Sequence, residues 1–439
     1  MTAILARWSL LALAIALLAV WLPLGKDLLF EYRFGKTDLF YSPVIERFVY
    51  KELLGDGHQF VYRDQTGADY GREAFEALIP FIYYKNMELW GRLPLELQGQ
   101  RFDKARIQAA RQVLQLDPEE LPEHRPRIQL FPLLESNPGR ARLRFPTDIM
   151  RPNQQLTFIN SDANRIDAGL TRTFTEAMTA AGFAFPVAAT FGRVSILKPF
   201  DAGFFLLDAE DKLFHLKRVD DAPRVARVPL PAGLKVRHVK IAENRRGEYL
   251  GLVLAADDRL FLLGQQDYAL TPLPLPRYDP DRMALKILFN PLYRTAVYSD
   301  QTHVHAVAMD QDFHPIDRYS REMAMARTRP VDQVWSALVP FSLALEDPNG
   351  RYLRLQPRLH GQTALIGIGL ALPLAYWWLR RRGLRRRDLL PSLLLVAVTG
   401  LYGLLANLLF PPERAAPQLS PEAAKPRTAA AGPAASRGH

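Results

Sequence analysis

The chain has 439 residues, with 56 basic and 46 acidic side chains and a formal charge of +10 at pH 7. Its 48% apolar content is typical of a folded protein, and the absence of cysteine excludes disulfides, thiolate metal sites and cysteine nucleophiles. Residues 26–361 carry 45 basic and 43 acidic side chains, so most of the excess positive charge lies at the two ends. A nucleic-acid-binding domain would keep that charge on its folded body, so we predict no nucleic-acid partner.

Three uncharged apolar segments at the ends have the length of membrane-spanning helices: Trp8–Leu24, Thr363–Leu379 and Leu389–Phe410. No small-x-small pair follows the first segment, which favours an uncleaved anchor over a cleaved signal peptide. None of the three contains Asp, Glu, Lys, Arg or His, which argues against ion-coupled transport. Small residues four apart (Gly367, Ala371 and Ala375) predict close packing, either as a helical hairpin or against another membrane protein.

Arginines between the second and third segments predict the orientation of the chain. Translocating this link is costly, so it should stay in the cytoplasm. The N-terminus is then cytoplasmic, while the large middle region and the tail after Phe410 lie outside. For a bacterium this predicts a multi-pass inner-membrane protein with a periplasmic domain. The topology residues are Arg380, Arg381, Arg382, Arg385, Arg386 and Arg387.

Acidic turns flanked by two apolar runs recur along the middle region, at Asp162, Asp208, Asp257, Asp300 and Asp347. Aspartate favours such turns, and the flanking β-branched and aromatic residues favour strands. The spacing of 43 to 49 residues is that of a four-stranded propeller blade. We predict five or six blade-like units, with two stacked antiparallel sheets as the alternative. A further strand over Val236–Ala242 alternates imperfectly, because Val236 falls on the opposite face.

Helical spacing is found mainly before the repeats. We predict helices over Arg72–Met87, broken near Pro80, and over Asp103–Leu116. A third helix around Phe174–Ala181 would begin at a Thr173/Glu176 capping box and end at Gly182. The fold class is therefore a mostly β, membrane-anchored protein with one N-terminal and two C-terminal spans. Its predicted parts are an anchor (1–25), an α+β segment (26–149), propeller-like repeats (150–360), a helical hairpin (361–410) and a disordered Pro/Ala-rich tail (411–439).

Several strings together resemble an uncharacterised bacterial membrane-protein family, domain-of-unknown-function family 4857. They are Phe40–Glu52, Leu78–Tyr84, Leu130–Ser136, Lys198–Phe205 and Leu213–Lys217. The resemblance implies an association with genes for ATP-binding-cassette (ABC) transporters, and therefore with permease and ATPase subunits as partners. It implies no catalytic residues.

Histidines offer the main candidates for a metal site. His303 and His305 alternate on one predicted strand, so both side chains point to one face. A metal would need a further ligand, which His314 or Asp300 could supply. The alternative is that both are ordinary polar strand residues.

Lys198-Pro-Phe-Asp201-Ala-Gly203 is the most unusual local string, because Pro199 fixes one φ angle and Gly203 permits conformations closed to other residues. Lys198 and Asp201 could form a structural pair or a charged pair at the mouth of a propeller channel, and Glu135 is a weaker candidate of the same kind. His215 could be an acid–base group or could bond the neighbouring acidic turn. The acidic residues of that turn (Asp208, Glu210 and Asp211) lack the spacing of a calcium loop.

No phosphate-binding loop, zinc-protease motif or nucleophile elbow is present in the sequence, and we predict no cofactor. The main hypothesis is an inner-membrane accessory protein whose outer domain binds a partner or substrate beside an ABC transporter. The alternative is a membrane-anchored enzyme that uses Lys198, Asp201, His215 or the His303/His305 pair in a propeller channel.

Overall fold

The computed structural model describes residues 2–30, 33–34, 36–55, 60–124, 128–139, 142–244, 247–326, 330–345, 355–384 and 386–412. Two compact units make up the chain. One, the β unit, comprises residues 32–327 with 346–353, and the other, the helical unit, comprises 1–31, 328–345 and 354–439. The predicted segments 26–149 and 150–360 both contribute to the β unit. The fifth acidic turn, at Asp347, and the tail from 413 onward lie outside the described residues.

Nine helices are assigned within these ranges. They are α1 (Thr2–Leu29), α2 (Arg72–Leu78), α3 (Tyr84–Leu89), α4 (Lys104–Ala110), α5 (Ala168–Ala180), α6 (Pro330–Leu338), α7 (Leu365–Arg381), α8 (Arg386–Thr399) and α9 (Leu401–Leu409). The predicted break near Pro80 is confirmed, because α2 ends before it and α3 starts after it.

Two helix predictions need correction. The helix over Asp103–Leu116 ends at Ala110, because the residues that follow alternate between exposed and buried and form a strand instead. Helix α5 begins before the proposed Thr173/Glu176 box, since the Asp167 side chain accepts a hydrogen bond from the Leu170 N–H at 2.9 Å. The predicted stop at Gly182 is confirmed by its φ of +87°.

The β unit is built from five antiparallel sheets that follow one another along the chain. The first contains β1 (Arg33–Phe34), β2 (Asp38–Ser42), β3 (Arg47–Gly55) and β4 (Phe60–Asp64); a hairpin of β5 (Leu95–Leu97) and β6 (Gln100–Phe102) and the strand β7 (Val113–Leu116) follow it. The second sheet contains β8 (Asp148–Pro152), β9 (Leu156–Asn160) and β10 (Arg165–Ile166). The third contains β11 (Ala189–Phe191), β12 (Phe204–Leu207), β13 (Leu213–Val219) and β14 (Ala222–Arg227).

The fourth and fifth sheets continue the same up-and-down order. The fourth contains β15 (Val236–Ile241), β16 (Tyr249–Ala255), β17 (Leu260–Gly264) and β18 (Leu270–Pro272). The fifth contains β19 (Ala284–Phe289), β20 (Arg294–Ser299), β21 (His303–Met309) and β22 (Pro315–Glu322), and β7 joins it beside β19. The predicted turns at Asp162, Asp208, Asp257 and Asp300 each connect two adjacent strands of one sheet.

The second to fifth sheets pack face to face in order, and the first packs on the fifth, which explains the continuous apolar runs in the sequence. All seven residues of β16 are buried. Leu252 and Leu254 pack toward the fifth sheet, whereas Val253 and Ala255 pack toward the third. A strand covered on both faces needs apolar residues at successive positions, so β16 does not alternate between apolar and polar residues. The fold is mostly β, with layered sheets.

The helical unit contains two helices long and apolar enough to cross a membrane, Ile4–Leu29 and Gly361–Arg381. It also contains a two-stranded sheet of β23 (Phe341–Ala344) and β24 (Gln356–Leu359). The prediction of a single third helix over Leu389–Phe410 is wrong. The segment is divided into α8 and α9 at Gly400, whose φ of +58° and ψ of −130° interrupt the helix.

Helices α8 and α9 fold back on each other. One nitrogen of Arg7, Nη2, lies 3.3 Å from Ser392 Oγ on α8 and 3.0 Å from Asn407 Oδ1 on α9. In a straight helix these two residues would be about 22 Å apart. Gly400 forms the tip of this hairpin, where an added Cβ would meet Pro340 Cδ at 3.0 Å.

Candidate functional site

A buried charge cluster joins the third and fourth sheets. Lys198 and Asp201 lie in the loop between β11 and β12, and Glu243 follows β15. The Lys198 ammonium donates hydrogen bonds to Asp201 Oδ1, to Glu243 Oε1 at 2.6 Å and to the Arg193 carbonyl at 2.9 Å. The side chains of Lys198 and Glu243 are 0% exposed and that of Asp201 is 1% exposed. The structure therefore pairs the two predicted residues and adds a second carboxylate.

This cluster has one more carboxyl group than it has cations. Burial raises the pKa of Asp201 and the pKa of Glu243, while Lys198 opposes both shifts. Glu243 Oε2 is buried and has no hydrogen-bond partner among the described residues. A buried anion without full compensation is costly, so the cluster favours retention of one proton on its carboxyl groups.

Gly203 holds the end of the Lys198 loop against its own sheet. Its φ is +78°, and an added Cβ would lie 2.1 Å from the Leu216 carbonyl oxygen on β13. The interpretation of Gly203 as a backbone requirement is confirmed. The loop therefore turns into β12 at a point where only glycine fits.

His215 lies beside the cluster and is joined to it by the Ala202 peptide. Its Nε2 contacts the Ala202 carbonyl oxygen, and its Nδ1 lies 2.9 Å from the Tyr268 hydroxyl. A carbonyl can only accept, so Nε2 carries the proton and Nδ1 accepts from Tyr268. The N–H of the same Ala202 donates to Glu243 Oε1 at 3.0 Å. His215 thus bonds the loop of Lys198 and not the acidic turn.

Burial, together with the smaller effect of the neighbouring Lys217, lowers the pKa of His215 to about 3. The ring is neutral near pH 7 and stacks on Phe205 with 4.1 Å between ring centroids. Lys198, Asp201, Glu243 and His215 therefore converge, but solvent does not reach them in this conformation. The buried ion pairs of Lys198 with Asp201 and Glu243 link two loops at the ends of adjacent sheets, and we call this group the charge clamp.

Glu135 is a separate turn cap. Its carboxylate accepts hydrogen bonds from the N–H groups of Asn137, Asp220 and Asp221 at 2.8 to 3.0 Å. Burial raises the pKa of Glu135, but the backbone bonds outweigh that effect and the pKa lies below its usual value. Glu135 thus ties the chain before the second sheet to the turn between β13 and β14.

The histidines on β21 do not form a three-ligand group with His314. The rings of His303 and His305 lie parallel, 6.2 Å apart, and their Nδ1 atoms contact Thr302 and Ser320. His314 lies beyond the opposite end of the strand. Asp300 is occupied as a turn cap that accepts from the N–H groups of Thr302 and His303.

Two other acidic turns have the same capping geometry. Asp208 Oδ1 accepts from the N–H groups of Glu210 and Lys212, as the interpretation of a plain turn requires. Asp310 Oδ1 accepts from Asp312 and His314, which brings ligand atoms of these three residues within 4.8 Å of one another. Backbone capping accounts for both groups.

The first three arginines of the link between α7 and α8 contact aromatic rings on α7. Arg380, Arg381 and Arg382 lie over the rings of Tyr376, Trp377 and Trp378, with Arg381 the closest at 4.1 Å. Arg386 and Arg387 begin α8, while Arg385 and the side chains of Arg386 and Arg387 lie outside the described residues.

Glu243 is the residue that the sequence analysis missed. The repeat itself contains the signal, because Asp201 and Glu243 both lie between the first and second strands of their sheets. Aligning the third and fourth units by their acidic turns would have placed these two carboxylates in equivalent loops.

A mostly β protein with layered repeats and apolar terminal helices is the class that this structure defines. The profile of the family described as "Domain of unknown function (DUF4857)" matches residues 38–309. The chain belongs to this family, as the resemblance indicated. A search of curated proteins found no significant match.

Two solved structures show weak similarity. Dihydro-heme d1 dehydrogenase NirN, in complex with DHE, has 11% identity and a TM-score of 0.21, with 47% of this chain and 53% of that chain covered. The chain thus spans about half the length of NirN. A putative exported protein (BF0058) from Bacteroides fragilis NCTC 9343 has 9% identity and a TM-score of 0.15, with 54% and 81% covered. At these TM-scores nothing about this chain's function follows.

Proposed function

We propose that this protein is an inner-membrane accessory protein whose β unit lies outside the cytoplasm and binds a partner or substrate beside an ABC transporter. The observation that carries the proposal is a large layered β unit in one chain with two helices of membrane-spanning length and composition. Sheets that present many loops on a rigid scaffold are suited to binding. The transporter association comes from the family resemblance.

We infer that the sheets of the β unit are arranged as an open propeller. The third, fourth and fifth sheets each contain four consecutive antiparallel strands, and each packs on the next. The first and second sheets extend this series to five units. This order supports the blade-like interpretation over two stacked sheets.

We propose a membrane topology that is supported by the arginines and by the folded-back hairpin. Arg7 contacts the carbonyl oxygen of Phe410 at 3.3 Å, so the N-terminal end of α1 and the end of α9 lie together. Arg380 to Arg382 favour the cytoplasm for the α7–α8 link. The hairpin of α8 and α9 then enters the membrane and returns, so that α1 and α7 are the two crossings. This proposal has two crossings, whereas the sequence analysis predicted three.

Co-purification tests the function. Tagged full-length protein, extracted from membranes with a mild detergent, should retain a permease and an ATPase through a salt wash. An inner-membrane protein of similar size with the same tag is the control. Repeated recovery of the protein alone, after cross-linking in intact cells as well, would refute the proposal.

A further inference from the structure

A cleft in the β unit lies between the first sheet and the β7–β19 edge of the fifth sheet. Its enclosed part has a volume of about 240 Å³, and an adjoining, more open cavity of about 400 Å³ shares Arg111 and Val113 with it. The two sheets pack closely through β20, β21 and β22, and the cleft lies to one side of this contact. There Val304, Ala306 and Ala308 meet the aromatic residues of β2 and β3.

The cleft is cationic without local compensation. Arg111 is half-buried at the end of α4, and Lys286 projects from β19 on the face opposite its buried neighbours. No aspartate or glutamate lines either cavity, and among the described residues neither cation has a carboxylate partner. Elsewhere in the β unit, cations beside carboxylates form ion pairs, such as Arg237 with Asp281 and Lys240 with Glu120.

The walls around these two cations are apolar and aromatic. Phe40 and Phe81 line one side of the cleft, while Leu288 and Phe289 line the other. Val113 remains 46% exposed on this strip, although its neighbour Leu114 is buried. Thr295 and Asn290 add hydrogen-bonding groups to the lining of the cleft.

We propose that this cleft binds a small organic anion, a carboxylate or phosphate that carries one aromatic ring or short acyl chain. Arg111 and Lys286 hold the anionic group, and the apolar part lies against Phe40, Phe81 and Leu288. Guanidinium and ammonium groups form their strongest hydrogen bonds with such anions. Ligand sites are typically apolar clefts with a few convergent polar groups, and this volume suits a single ring. The site does not depend on the transporter association.

Fluorine NMR of the full-length protein in detergent tests this inference, with para-trifluoromethylbenzoate as the probe and the neutral para-trifluoromethylbenzamide as its counterpart. We expect line broadening of the benzoate and little of the benzamide. Arg111→Gln and Lys286→Gln should each weaken benzoate binding by about tenfold or more, since each removes charged hydrogen bonds. Lys235→Gln is the control, because it removes the same charge from an exposed residue paired with Asp211.

Competition separates the possible sources of the anion. Phenyl phosphate and octanoate should both displace the probe if the cleft recognises an anionic group together with an apolar group. The better competitor shows whether a phosphate on a ring or a carboxylate on an acyl chain is preferred. Equal broadening by the benzamide would overturn the proposal. So would displacement by inorganic phosphate alone at the concentration that suffices for phenyl phosphate, or unchanged binding in the Arg111→Gln/Lys286→Gln double variant.

Discussion

Lys198 is the residue on which the charge clamp depends. Its ammonium is the only cation in contact with the buried carboxyl groups of Asp201 and Glu243 among the described residues. Removing one partner of a buried ion pair leaves an uncompensated charge, which typically costs about 3–5 kcal/mol. We expect Lys198→Met to destabilise the protein by an amount of this order.

Chemical unfolding of the full-length protein, followed by the fluorescence of its aromatic side chains, measures this effect. Lys212→Met is the matched control, because Lys212 pairs with Glu210 at an exposed turn. Exposed pairs contribute at most about 1 kcal/mol. Equal stability of the two variants would show that the clamp has no stabilising role.

Glu243 makes the clamp sensitive to pH. Its pKa is raised by burial, so the folded state holds a proton that the unfolded state releases at lower pH. That contribution to stability is complete below the unfolded pKa of glutamate and is lost as the pH rises through the raised folded pKa. Gln at this position keeps the oxygen that accepts from Lys198 and Ala202 but does not titrate.

We therefore expect Glu243→Gln to gain stability relative to the wild type as the pH is raised from 4 toward 7, both being measured by unfolding at each pH. Glu210→Gln, at an exposed position, should follow the wild type in parallel. A constant difference between the wild type and Glu243→Gln across this range would contradict the raised pKa.

Strand β7 is the element that attaches the N-terminal part of the β unit to the repeats. It pairs with β19, and its burial alternates: Val113 and Gln115 are exposed, while Leu114 and Leu116 are buried in the core between the fourth and fifth sheets. Truncation of a buried leucine typically costs about 2–5 kcal/mol. We expect Leu114→Ala to fall in that range and Val113→Ala to change the free energy of unfolding by less than about 1 kcal/mol.

Urea unfolding of both variants gives the comparison. If the two substitutions cost the same, β7 is not packed as a strand with one buried face.

Sequence patterns predicted local features, such as turns and helix breaks, better than they predicted which distant strands and side chains would pair. The Asp208, Asp257 and Asp300 turns, the break at Pro80 and the role of Gly203 each depend on neighbouring residues, and all are present. The imperfect alternation at Val236 has a local cause as well, because the register of β15 shifts between Val236 and His238. A β-bulge moves one residue to the other face.

Long-range partners had no comparable signal. Lys198 pairs with Glu243, which lies 45 residues further along the chain in another repeat. Strand β7 pairs with β19, which lies more than 160 residues further along. Apolar composition likewise predicted the length of the third terminal segment but not its path. Only the geometry at Gly400 and the shared contacts of Arg7 show that the segment folds back.

The path of that segment determines on which side of the membrane the C-terminal tail lies. A straight helix from the arginine link would carry the tail out of the cytoplasm. The folded-back hairpin of α8 and α9 returns Phe410, the last residue of the segment, to Arg7. The proposed topology therefore places the N-terminus, the arginine link and the tail together in the cytoplasm, with only the β unit outside.

Reporter fusions decide between these paths. Alkaline phosphatase, which is active only outside the cytoplasm, should be active when fused after residue 360 and silent after Gly383 and after His439. Green fluorescent protein, which requires the cytoplasm, should fluoresce at the last two positions only. Gly400→Leu places a bulky side chain against Pro340 at a positive φ, so it should weaken the hairpin and lower the amount of correctly inserted protein. Leu408→Ala, at a partly exposed position of α9, should do neither. Phosphatase activity of the fusion after His439 in the wild type would support the three crossings predicted from the sequence and refute the folded-back path.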